Sequence, residues 1–137
     1  MAALDYKNYC LANGNRRPRL LFIAHRDEIL DQNLATMRNV LKEPDFGARM
    51  GGDHAAPADM SHVFCTIQTA NSKKIWEALG RVFYEFIIVD EAHHAPASSY
   101  EGVFTGFAPR MLLGLTATPE RMENKRSRTQ TVRSAEI

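Results

Sequence analysis

The chain has 137 residues, 45% of them hydrophobic, and its charges nearly cancel to a formal +1. That is enough for one domain with its own core, while the near-neutral balance gives no global pull toward nucleic acid, so any such binding must come from local patches. No apolar run approaches a membrane span and no signal-peptide pattern opens the chain, so a cytoplasmic protein with no membrane partner is expected.

Met1 to Asn13 reads as a helix that stops at Asn13-Gly14, and the basic turn Asn15-Arg16-Arg17-Pro18 leads into a strand from Arg19 to Ala24. Leu30, Leu34, Met37 and Leu41 recur at helical spacing, with Asp27 and Glu28 in the first turn, where they favour the helix dipole, and Pro44 as the stop. Residues 45–59 are richer in Gly, Ala and Pro, which predicts a short strand and a mobile loop around Gly51-Gly52. His62 to Thr66 is the next strand, followed by a short helix carrying Ile75, Trp76 and Leu79 and closing at Gly80. Phe86-Ile87-Ile88-Val89 has the unbroken apolar character of a strand covered on both faces. Ser98-Ser99-Tyr100-Glu101 spells a capping box for a helix whose apolar face is Val103, Phe104 and Phe107, and Met111 to Leu115 is the last strand. From Glu123 onward apolar content nearly vanishes, so 123–137 is expected to be a flexible tail. Cys10 and Cys65 form no Cys-x-x-Cys pair and are expected to be reduced, half-buried packing residues.

Alternating helix and strand predicts an α/β domain with helices over a parallel sheet, and ligands in such folds gather at the carboxyl ends of the strands. At one such end stand Asp90 and Glu91, followed by Ala92, His93 and His94. An Asp-Glu pair there can hold a divalent cation through oxygen and act on a water that attacks a phosphate. A bare Asp-Glu is better explained as a helix cap. The longer string is rarer, and a second strand end, Leu115-Thr116-Ala117-Thr118-Pro119, repeats the arrangement downstream. Zinc is not indicated, because the segment has neither the His-Glu-x-x-His nor the His-x-x-Glu-His spacing.

With these residues in view, the chain resembles the first RecA-like domain of a superfamily II helicase or translocase of the DEAH-box type, a three-layer α-β-α P-loop NTPase domain with a mostly parallel sheet. Asp90-Glu91-Ala92-His93 is similar to its Walker B motif (motif II), and Thr116-Ala117-Thr118 to motif III. Residues 21–30 resemble motif Ia, and Thr66-Ile67-Gln68-Thr69-Ala70 resembles motif Ib. The double histidine is similar to that of bacterial DNA repair helicases and type III restriction enzyme Res subunits. Residues 1–122 would then be a partial RecA-like domain, with 123–137 a tail or the start of a linker to a second RecA-like domain. No Gly-x-x-x-x-Gly-Lys-Ser/Thr phosphate loop occurs in these residues, so the first strand and the loop of such a domain are expected to be missing and the chain to be a fragment.

The resemblance implies ATP and Mg2+ as cofactors and DNA as partner, with RNA left open. Asp90 would hold the magnesium and Glu91 would position or activate water. His93, Thr116 and Thr118 would couple hydrolysis to the second domain and to the nucleic acid, while His94 has an equal claim to a helix-start hydrogen bond. Arg26, Gln68 and Thr69 would grip the nucleic-acid backbone. Two rival readings are a nucleic-acid-binding module without hydrolysis and an independent metal-dependent phosphohydrolase. Motifs Ia and III argue against the latter.

Overall fold

The computed structural model describes residues 2–90, 97–115 and 129–132. Its elements in chain order are α1 (Ala2–Ala12), β1 (Leu20–Ala24), α2 (Asp27–Leu41), β2 (Ala48–Met50), β3 (His62–Thr66), α3 (Ile67–Lys73), α4 (Ile75–Leu79), β4 (Phe86–Asp90), a 3-10 turn (Ala97–Tyr100), α5 (Glu101–Gly106), β5 (Met111–Leu115) and β6 (Thr129–Val132). The sheet order is β2-β3-β1-β4-β5-β6; the first five strands run parallel and β6 pairs antiparallel to β5. The α/β reading with a mostly parallel sheet holds. The stretch 123–137, expected as a tail, contributes four residues to the sheet as β6.

Side chains alternate across a strand, so β1 sends Leu20, Phe22 and Ala24 to one face of the sheet and Leu21 and Ile23 to the other, all fully buried. On the first face, Phe22, Phe64, Phe86 and Ile88 meet α1 and α2 through Tyr6, Cys10, Leu30, Leu34 and Met37. On the second, Val63, Cys65, Ile87 and Val89 meet the α3 to α5 layer through Ile67, Ile75, Val103 and Phe107. These two half-cores make the three-layer sandwich, and each fully buried Leu, Ile or Phe contributes about 1.5–3 kcal/mol. Phe22 and Phe64 stack between adjacent strands with centroids 5.0 Å apart. The Tyr6 hydroxyl donates to the Pro18 carbonyl at 2.6 Å, and burial pushes its pKa up, so the phenol stays a neutral donor.

Several local expectations are corrected. Helix α2 stops at Leu41, before Pro44, because Lys42 adopts a left-handed conformation and the Lys42 and Glu43 amides return to Asn39 and Arg38. The helix expected at Ile75, Trp76 and Leu79 forms as α4 and closes at Gly80, but a further helix, α3, precedes it, the two being broken at left-handed Lys74. The capping box does not form. Ser98 and Ser99 wind into the 3-10 turn, the Ser99 carbonyl takes a hydrogen bond from Asn71, and α5 begins at Glu101 with no side-chain cap. Phe104 leaves the core face and is 47% exposed, stacked on Tyr100 instead.

Cys10 and Cys65 are fully buried, a stronger burial than the half-burial expected. Desolvation raises both thiols, Cys65 to about 12, so the reactive thiolate is suppressed. Neither thiol is expected to react with a disulfide reagent at pH 8 within minutes in the folded chain, and both should titrate after denaturation. Rapid native-state labelling of either would contradict this burial.

Candidate functional site

Parallel strands bring their carboxyl ends to one edge of the sheet, and the register sets the order of residues along it. Thr66 of β3 lies beside Ala24 of β1, Ile23 of β1 beside Val89 of β4, and Asp90 of β4 beside Leu115 of β5. The sequence-predicted residues follow from this row. Arg26 comes two residues after β1, Gln68 and Thr69 come two and three residues after β3, and Asp90 ends β4 itself. The row therefore runs from the motif Ib residues, past Arg26, to the carboxylate.

At the β3 end, Thr66 caps α3 because its side-chain oxygen accepts the Thr69 amide at 3.2 Å. The Thr66 and Thr69 hydroxyls are also 3.2 Å apart, and Gln68 is exposed beside them. Thr69 is thus part of the cap as well as a surface residue. The turn expected to be a mobile loop packs here. Gly51 is buried and paired with His54 through two backbone hydrogen bonds of 3.1 and 2.9 Å. Its φ of +95° brings the backbone so close to α3 that a Cβ would stand 2.2 Å from the Thr69 Oγ1. Composition flagged the glycines but carried no signal of this approach.

Arg26 is exposed and occupies the N-cap position of α2 in extended conformation, without a side-chain cap. The first turn of α2 is secured by Arg49 of β2, whose side chain is only 7% exposed and pairs with both Asp27 and Asp31. Asp27 therefore does more than complement the helix dipole.

Asp90 is half-buried, and its Oδ2 accepts a 3.4 Å hydrogen bond from the Asn33 Nδ2 of α2. A carboxylate at this strand end supplies the oxygen ligand that magnesium takes, so the donor chemistry present fits that ion. Glu91, His93, His94, Thr116 and Thr118 lie outside the described residues. Among the described residues no group of three or more His, Cys, Asp or Glu could enclose a metal. No helix among them is long and apolar enough to cross a membrane.

Comparison with known proteins gives three findings. Residues 1–121 match the family described as type III restriction enzyme, res subunit. A 51.5 kDa protein of Lactococcus phage (isolate 7-9) is 29% identical over 104 residues, covering 76% of this chain and 19% of that protein. The crystal structure of the UvsW helicase from bacteriophage T4 superposes with a TM-score of 0.60 at 20% identity, over 88% of this chain and 43% of that one. The fold is therefore that of the helicase RecA-like domain, and the chain spans about a fifth of the phage relative and under half of the structural one.

Proposed function

Because the chain belongs to the type III restriction enzyme res subunit family, a helicase-type ATPase group, we propose that it forms part of the motor of an ATP-dependent enzyme that moves along or unwinds DNA. The observation that supports this most directly is the row of strand ends, with a carboxylate at β4 and the Arg26, Gln68 and Thr69 group at β1 and β3. In this reading residues 1–122 are the RecA-like body, with Thr129–Val132 added to its sheet as β6, and the chain beyond leads toward a second RecA-like domain.

Asp90 would hold magnesium on the terminal phosphates of ATP, and the bound ion supplies charge neutralisation there. Glu91 orients the attacking water and takes its proton. His93, Thr116 and Thr118 pass the state of the nucleotide to the DNA end and to the second domain. Arg26 contributes a guanidinium to the DNA backbone, while Gln68 and Thr69 contribute polar side chains at the start of α3. Such contacts hold the track without reading its sequence. RNA would satisfy the same groups.

The 137-residue chain alone is expected to show negligible ATP turnover, since its sequence has no Gly-x-x-x-x-Gly-Lys-Ser/Thr loop to cradle phosphates. DNA-stimulated hydrolysis by this chain, lost in Glu91→Gln, would overturn that expectation. DNA binding is the positive test. Anisotropy of a labelled oligonucleotide should report weak, salt-sensitive binding that falls severalfold in Arg26→Ala, equally for unrelated sequences. Binding indifferent to Arg26 and Gln68 would remove the DNA end of the proposal. A second reading, carried by the Arg26, Gln68 and Thr69 strand ends alone, is a DNA-binding module without hydrolysis, in which the oligonucleotide results stand and no nucleotide dependence appears.

A further inference from the structure

We infer that Asn33 is a positioning residue for the Asp90 carboxylate, an inference that rests on Asp90 being the residue that holds the divalent cation. Asn33 lies on α2, half-buried, with its amide nitrogen facing two acceptors. Nδ2 donates to the Ile29 carbonyl one turn back at 2.8 Å and to Asp90 Oδ2 at 3.4 Å. A primary amide has two N–H donors, so both bonds form at once, and the shorter fixes where the second proton points. The short bond to the helix is the anchor. The long bond to the carboxylate is the pointer.

The consequence is geometric. Oδ2 of Asp90 is engaged from the α2 side, which restricts rotation of the carboxylate about its Cβ–Cγ bond and holds the group in one orientation at the strand end. Ions that keep most of their water shell, as magnesium does, depend on a carboxylate already presented in the right direction. The amide donates to the carboxylate while carrying no charge of its own. Helix α2 begins at the Arg26 end, so the residue that orients the cation ligand is carried on the same rigid element as the candidate backbone contact. Sequence alone gives Asn33 no distinction. It falls between the apolar positions Leu30 and Leu34 and matches none of the motif residues.

The test is binding of Mn2+, which carboxylate sites take in place of Mg2+, by the 137-residue chain, read by the electron paramagnetic resonance of free ion. The unaltered chain should bind one Mn2+ weakly, and Asp90→Asn should abolish that binding. Asn33→Leu and Asn33→Ala should each weaken it about fivefold, the scale of one net hydrogen bond, with the backbone amide spectrum otherwise unchanged. In the unaltered chain, bound Mn2+ should broaden the resonances around the β4 end, the Asn33 side-chain amide among them, which places the ion at Asp90. Loss in Asp90→Asn with no change in either Asn33 variant overturns this inference and leaves the Asp90 assignment standing. No Mn2+ binding by the unaltered chain, or binding unaffected by Asp90→Asn, overturns the Asp90 assignment and this inference with it. If one Asn33 variant fails to fold, the other decides.

Discussion

Gly51→Ala is expected to destabilise the domain by about 2–5 kcal/mol, the sum of a left-handed backbone penalty of about 1–2 and an overpacking term of about 1–3. Both causes are visible at one atom. The φ of +95° is costly for any residue with a Cβ, and that Cβ would stand 2.2, 2.8 and 2.9 Å from Oγ1, Cγ2 and Cβ of Thr69. Because the contacts include the root of the threonine side chain, a rotamer change does not clear them, and either the turn or α3 has to move. Gly52 is the internal control. It has φ +59° with nothing within 4 Å of a built Cβ, so Gly52→Ala carries only the backbone term, about 1–2 kcal/mol. Urea midpoints at unchanged slope measure both. Equal losses in the two variants would show that the Thr69 contact carries no energy. In the proposed DNA-binding role, Gly51→Ala should also weaken oligonucleotide binding, because it displaces the residue whose amide and hydroxyl complete the Thr66 cap.

The second large effect is expected at Gly106→Ala. Trp76 of α4 lies across two glycines of α5, so that a Cβ at Gly106 would be 2.3 Å from the indole Cγ and 2.7 Å from the Trp76 Cβ, and one at Gly102 would be 2.6 Å from Cη2. The Gly106 clash involves the base of the side chain, and the helices must separate. The expected cost is about 1–3 kcal/mol by overpacking. The Gly102 clash involves the far rim of the ring, and a small tilt of the indole relieves part of it, so Gly102→Ala should cost less. Trp76 is the only tryptophan in the chain, and its fluorescence reports the contact directly. Emission should shift to longer wavelength in Gly106→Ala as the ring loses its cover. The double variant Trp76→Ala with Gly106→Ala should be less destabilised than the sum of the singles. Strict additivity would mean that the glycine and the indole do not share an interface.

The strands were the most legible part of the sequence because burial on both faces leaves an unmistakable apolar run. His62 to Thr66 and Met111 to Leu115 appear within the bounds read from the sequence, and the apolar run from Phe86 continues through Asp90. Helix ends were less legible, since they depend on single backbone conformations that composition does not encode. Lys42 and Lys74 are left-handed without being glycine or asparagine, and each ends a helix where no conventional stop residue stands. The Ser98 to Glu101 pattern satisfied a local rule that the packing of Asn71 onto Ser99 overrode. Motif spacing put Asp90, Arg26, Gln68 and Thr69 at or shortly after strand ends, and the parallel strands bring those positions to one edge of the sheet. The spacing was blind to Asn33, Arg49 and Gly51, whose roles arise between elements far apart in sequence. The family match agrees with the resemblance drawn from the motifs.

The outer strands of the described sheet bear on how the molecule behaves among its own copies. Buried five-residue strands are flanked by β2, of three residues, and β6, of four and opposite direction. Short borders offer few consecutive free amides and carbonyls for a neighbouring chain to zip onto. The β2 border further carries Arg49, clamped by two aspartates, so a strand arriving there meets a charged cluster in place of an apolar ribbon. Among the described strands, both borders are therefore poorly suited to templating a further strand.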